Sequence, residues 1–125
     1  MKGPMHKAVM LTTLAAGALL GARYLGRRVQ ARAPLRTGVI PIVVPFIDLE
    51  VAEDVLAVME HLPDDRVTLV LHTLGGCVTA CVLIANALQQ FKDSTAIVPY
   101  MAISGGTLIA LSATRLEMGE RASLS

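Results

Sequence analysis

Apolar and polar positions change period several times along the second half of the chain. Residues 39–46, "VIPIVVPF", form a β-branched run broken by Pro41 and Pro45. Two prolines fit a strand at a sheet edge, where a missing N–H leaves no ladder bond unmade. The following "IDLEVAEDVLAVMEHL" places Ile47, Val51, Val55, Val58 and Leu62 at helical spacing, with Asp48 positioned as N-cap and acids in the first turn. "VTLVLHT" (67–73) returns to a strand-like run, and after "LGG" the pattern turns helical over 77–91. "STAIVPY" (94–100), "SGGTLIALSA" (104–113) and "TRLEM" (114–118) repeat the strand, helix, strand order. Units of this size predict an α/β fold with a mainly parallel sheet and right-handed crossovers. The near-continuous apolar strands predict burial on both sheet faces.

The first third reads differently. "AVMLTTLAAGALLGA" (8–22) is uncharged and apolar, and it extends to residue 25 if Arg23 snorkels toward lipid headgroups. That length lies at the lower edge of what spans a bilayer, so residues 8–25 are expected to form an uncleaved single-pass anchor. Five arginines, Arg23, Arg27, Arg28, Arg32 and Arg36, follow it, against Lys2 and Lys7 before it, a bias that places the body in the cytoplasm. An acid-free, Arg-rich leader also fits an organelle transit peptide, which stays open at this point. "GALLG" (17–21) has a spacing that lets membrane helices approach, and hints at self-association. The expected organisation is a basic segment with anchor over 1–33, a linker over 34–38, and a domain over 39–125.

Charge sharpens this division. The 125 residues sum to a net charge of +1, yet the first acid is Asp48, and every charged residue before it is Lys or Arg. The basic stretch has Tyr24 as its one aromatic residue and matches no nucleic-acid reading module, so no nucleic-acid partner is expected. With no Trp, the core is left to Ala, Val, Leu, Ile and Met. Cys77 and Cys81, four apart in one predicted helix, make neither a disulfide framework nor a metal site. They read as small buried residues, with Cys77 as a reactive thiol in the second place because a helix N-terminus favours a thiolate. No metal and no cofactor is called for.

Glycines follow two predicted strands, in "HTLGG" and "MAISGG", at the strand ends where α/β sheets gather ligands. Glycine lets the backbone approach a reacting group and present an N–H to a developing oxyanion. Ser104 is then a candidate nucleophile beside the Gly105 amide, with Gly75 and Gly76 on the other loop. From spacing alone Ser104 reads first as a helix N-cap and only second as a nucleophile. His72 is either a base or a structural hydrogen-bonder; His61, at a helix end, favours the dipole and looks inert. Neither loop ends in the Lys-Ser/Thr of a phosphate-binding loop.

Taken together, "LVLHTLGGCVTACVLIANAL" and "IVPYMAISGGTLIALSATRLEMGERASLS" resemble the serine dehydrogenase proteinase family, membrane-associated relatives of signal-peptide peptidase A and the Clp protease subunit in the Clp/crotonase superfamily. The resemblance covers about residues 38–125. It implies a ββα spiral with a mainly parallel sheet, here C-terminally incomplete and preceded by an N-terminal apolar helix. It also implies peptide-bond hydrolysis, with Ser104 as nucleophile and an oxyanion hole from the Gly75-Gly76 loop and Gly105. A peptide or protein substrate, and a homo-oligomer or a full-length paralogue as partner, follow from the same likeness.

Many family members carry Pro where Leu74 stands and Met where Ile103 stands. Losing proline's fixed φ is expected to loosen the first loop. Members also continue past the "ASLS"-like stretch to the catalytic base, a Lys, or a His with Asp. After Ser104 this chain has neither His nor Lys, and only Glu117 and Glu120 as acids. An unactivated serine is a weak nucleophile, so the chain by itself is expected to be a poor hydrolase or none. The reading from a different class is a non-catalytic membrane scaffold that binds peptide or a paralogue. Acyl-CoA chemistry of the crotonase kind ranks below both.

Overall fold

The computed structural model describes residues 38–125. The expected basic segment 1–33 with its anchor at 8–25, and all of the 34–38 linker but Gly38, lie outside the described residues. Among the described residues no helix is long and apolar enough to cross a membrane.

The elements run β1 (Val39–Val43), α1 (Leu49–Glu60), β2 (Arg66–His72), α2 (Val78–Leu88), β3 (Asp93–Val98), β4 (Met101–Ala102), α3 (Gly105–Ser112), β5 (Arg115–Met118) and β6 (Ser123–Leu124). Four strands make a wholly parallel sheet in the order β1-β2-β3-β5. Proline-bearing β1 takes an edge, as a strand with a missing donor should. Register aligns Ile40 with Leu69 and Leu69 with Ala96, so the apolar side chains of successive strands lie side by side on one face. Crossovers between neighbouring parallel strands are right-handed and return to one side. All three helices therefore form a single layer, in which α1 packs on α2 and α2 on α3.

That layer corrects the expectation of two buried faces. Val67, Leu69 and Leu71 are buried under the helices, but Thr68, Val70 and His72 between them are only half-buried, and Val39 and Val43 on β1 are exposed. The strands are apolar on both sides, and among the described residues helices cover only one.

Local chemistry sets the helix limits. Asp48 accepts a hydrogen bond from the Val51 amide at 2.9 Å, the capping contact its position promised. Buried Ala52, Val55 and Met59 define the inner face of α1. Ile47, assigned above to that face, precedes the helix and pairs with Gly76 instead. The far end of α3 is fastened by Ser94 and Thr114: the Ser94 amide donates to Thr114 Oγ1, the Thr114 amide to Ser94 Oγ, and Thr114 Oγ1 to the Ser94 carbonyl. Ser94 is fully buried, so these bonds satisfy groups that would otherwise be costly.

Two short strands escaped the sequence pattern. β4 and β6 pair in parallel, and Thr73 bridges to Ala102, so a second small sheet runs Thr73–Ala102–Leu124 at the strand ends. Two residues are too few to show a period.

Candidate active site

The two glycine loops meet. Gly75 has φ +118, open to glycine and strained for any other residue, and its inner side faces Ser104: a Cβ built on Gly75 would lie 2.9 Å from Ser104 Cβ and 3.4 Å from the Gly105 nitrogen. Gly76 is pressed against Ile47, where a methyl would overlap the Ile47 carbonyl oxygen. The sequence reading thus placed Gly75, Gly76, Ser104 and Gly105 together, and together they stand.

Hydrogen bonds then separate the two glycines of the first loop. The Gly75 amide donates to Thr73 Oγ1 at 3.1 Å, and the same hydroxyl reaches the Gly75 carbonyl. Ile47 donates to the Gly75 carbonyl and accepts from Cys77, both at 2.8 Å. The amides of Gly76 and Gly105 donate to nothing among the described residues. Of the loop amides named from sequence, Gly76 is therefore the free donor, and Gly75 is already engaged.

Buried Thr73 and Ile47 are the residues the sequence reading missed. A Thr two residues before glycine is the known signal for a hydroxyl-closed turn, and it could have been read. Ile47 could not, because its bridge to Gly76 joins segments 29 residues apart.

The loosening expected from Leu74 is offset. Its amide donates to the Pro45 carbonyl at 3.2 Å, a bond that proline cannot make.

Ser104 precedes α3 at the N-cap position, yet its side chain makes no capping bond. Its backbone sits at φ 51, ψ −117, and it is the one non-glycine residue with positive φ among the described residues. Such a conformation costs about 1–3 kcal/mol and tends to collect at functional sites. The Ser104 amide donates to the Ser125 carbonyl, which also accepts from Thr107 Oγ1 at 3.0 Å. Hence the backbone around the serine is held while its Oγ has no bond to any described side chain.

His72 is not brought to Ser104. Side chains alternate along β2 and beyond, and the methyl of Thr73 abuts Gly106 on α3, so His72 turns to the opposite face. There it meets Tyr100 edge-on, with ring centroids 5.8 Å apart. His61 caps the end of α1, its Nδ1 2.7 Å from the Ala57 carbonyl, in line with the inert reading. Glu117 and Glu120 are exposed.

The cysteines differ from each other. Cys81 is buried against Gly105, and burial raises its pKa above the usual thiol range, with the nearby Cys77 adding to the rise. Cys77, half-buried at the start of α2, is lowered because the Ala80 and then the Thr79 amides favour the thiolate, although the thiol makes no capping bond. Cys81 is the small buried residue expected, and Cys77 has the environment of the second reading. Among the described residues no group of His, Cys, Asp and Glu could hold a metal ion.

Comparison with known proteins covers most of this region. Residues 33–125 match the family model described as ClpP-like SDH-type serine proteinase. Two uncharacterized proteins of Methanocaldococcus jannaschii are 44% identical over 81 residues and 40% identical over 79. These matches take in 63% and 62% of this chain but 28% and 27% of the relatives, so the chain spans less than a third of their length. A solved structure, a ClpP1 mutant from Listeria monocytogenes, superposes with a TM-score of 0.58 at 25% identity, covering 63% of this chain and 48% of that one.

Proposed function

From membership of the ClpP-like SDH-type serine proteinases, the family to which this chain belongs, we propose that it is the nucleophile-bearing part of a membrane-anchored serine peptidase. Ser104 Oγ attacks a peptide carbonyl, and the Gly76 and Gly105 amides hold the resulting oxyanion. As the tetrahedral centre collapses, the C–N bond breaks and the amine leaves with a proton. Water then frees the acyl group from Ser104. The observation that carries this reading is Ser104 itself: a strained residue whose Oγ has no partner among the described residues, standing beside two backbone amides that have no acceptor among them.

The Ser104 proton needs an acceptor, and no described side chain bonds Oγ. We take the base to come from outside the described residues, contributed by a further part of the protein or by a partner chain. Self-association or pairing with a full-length paralogue, and a peptide or protein substrate, belong to the same proposal.

A fluorophosphonate probe tests the nucleophile. In membranes from the native source it is expected to label the chain at Ser104, and Ser104→Ala to remove the label. A wild-type chain that stays unlabelled there overturns the reading, and favours a non-catalytic scaffold.

The anchor is proposed for residues 8–25, with the body on the cytoplasmic side, from their apolar run and the arginines that follow. Alkaline carbonate washing should leave the chain in the membrane pellet. Its release to the supernatant would remove the anchor from the proposal.

A further inference from the structure

A cavity of about 290 Å³ opens at the carboxyl ends of β1 and β2, lined by Val43, Val44, Pro45, His72, Thr73, Leu74 and Met101. That volume lies near the lower end of small-molecule pockets, so only a compact ligand fits. Val43 and His72 are register partners on the sheet face that the helices leave open. The nucleophile does not line this cavity, and nothing proposed for Ser104 uses it.

His72 makes the cavity chemically specific. Its Nδ1 is occluded and has no hydrogen-bond partner among the described residues. An occluded N–H without a partner is rarer and costlier than an occluded lone pair, so the tautomer that carries its proton on Nε2 is favoured. The residue is only half-buried, and no described group bonds Nε2. The ring therefore offers a reachable N–H donor beside the apolar side chains of Val43, Pro45 and Leu74.

The surroundings select the rest of the ligand. Val43 is 60% exposed and Leu74 61%, so apolar side chains border the cavity. No Lys, Arg, Asp or Glu lines the cavity, so a charged ligand would lose hydration and gain no counter-charge.

We propose that this cavity binds a compact neutral molecule with an apolar body and a single carbonyl oxygen, of the amide or ketone class. His72 Nε2–H donates to the carbonyl, while Val43, Pro45 and Leu74 enclose the apolar body.

Phenylacetamide is a suitable probe, titrated into the ¹⁵N-labelled full chain carrying Ser104→Ala. Saturable shifts are expected at the His72 ring nitrogens and at the Val44 and Leu74 amides. His72→Phe keeps a flat ring but removes the donor, and is expected to weaken binding about two- to tenfold, as loss of one hydrogen bond implies. Propylbenzene, which has a similar body without the carbonyl, should bind the unaltered pocket about two- to tenfold more weakly for the same reason. Equal affinity for propylbenzene, equal affinity in His72→Phe, or shifts that never saturate would each overturn the proposal. Should His72→Phe fail to fold, the propylbenzene comparison decides by itself. Ser104 is absent throughout, so these outcomes are independent of the peptidase reading.

Discussion

Gly76→Ala is expected to slow acylation of Ser104 by about 10²–10³-fold, the usual cost of losing one oxyanion donor. The added methyl would run into the Ile47 carbonyl oxygen, and Ile47 Cβ lies 2.6 Å from the same point. Ile47 cannot readily yield, because its amide donates to Gly75 and its carbonyl accepts from Cys77. The Gly76 backbone must shift instead, carrying away the unpaired amide that stands next to Gly105. Overpacking of this kind also costs about 1–3 kcal/mol of stability. The rate of fluorophosphonate labelling and the midpoint of denaturant unfolding measure the two effects separately. A labelling rate within about threefold of wild type, in a folded protein, would remove Gly76 from the oxyanion hole, since loss of a donor is far larger.

The second expected result concerns Ser104→Gly, which should abolish labelling and raise stability together. At φ 51 and ψ −117 a serine carries backbone strain that glycine does not. Relief of about 1–3 kcal/mol, less about 0.5–1 for the extra freedom of glycine in the unfolded chain, leaves a gain of roughly 1 kcal/mol. Oγ makes no capping bond, so its removal gives nothing back. Ser104→Ala separates this from a capping role. Loss of an N-cap would cost about 1 kcal/mol, whereas here alanine should unfold at nearly the wild-type midpoint. A clear loss of stability in both variants would restore the cap reading. A gain in glycine with loss of labelling is what a strained nucleophile predicts.

Much of the domain could be read from local pattern. Alternation of strand and helix periods gave the order of the longer elements, because each of those segments is long enough to show its period. Pro41 marked an edge strand, and Asp48 marked the start of α1, since each acts through its own residue's chemistry. The resemblance carried by "HTLGG" and "MAISGG" named Ser104, Gly75, Gly76 and Gly105, and the fold places those four side by side. Ile47 was misassigned to α1 because its apolar side chain fits helical spacing equally well. Burial on both faces was expected, and which side receives helices was not legible, since strands apolar on both sides do not say. β4 and β6 left no trace at all, having two residues each.

What the sequence by itself determined was the inventory: an α/β order, two glycine loops after strands, Ser104 with no His or Lys after it, and a basic and apolar first third. Each of these depends on residues close together in the chain. Tertiary structure decided how the inventory is used. It spent the Gly75 amide on Thr73 and left that of Gly76 without an acceptor among the described residues, pinned Gly76 against Ile47, denied Ser104 its cap, and turned His72 away toward Tyr100. The reason is physical: hydrogen-bond partners and close approaches are set by which segments the sheet brings together, and those segments are distant in sequence.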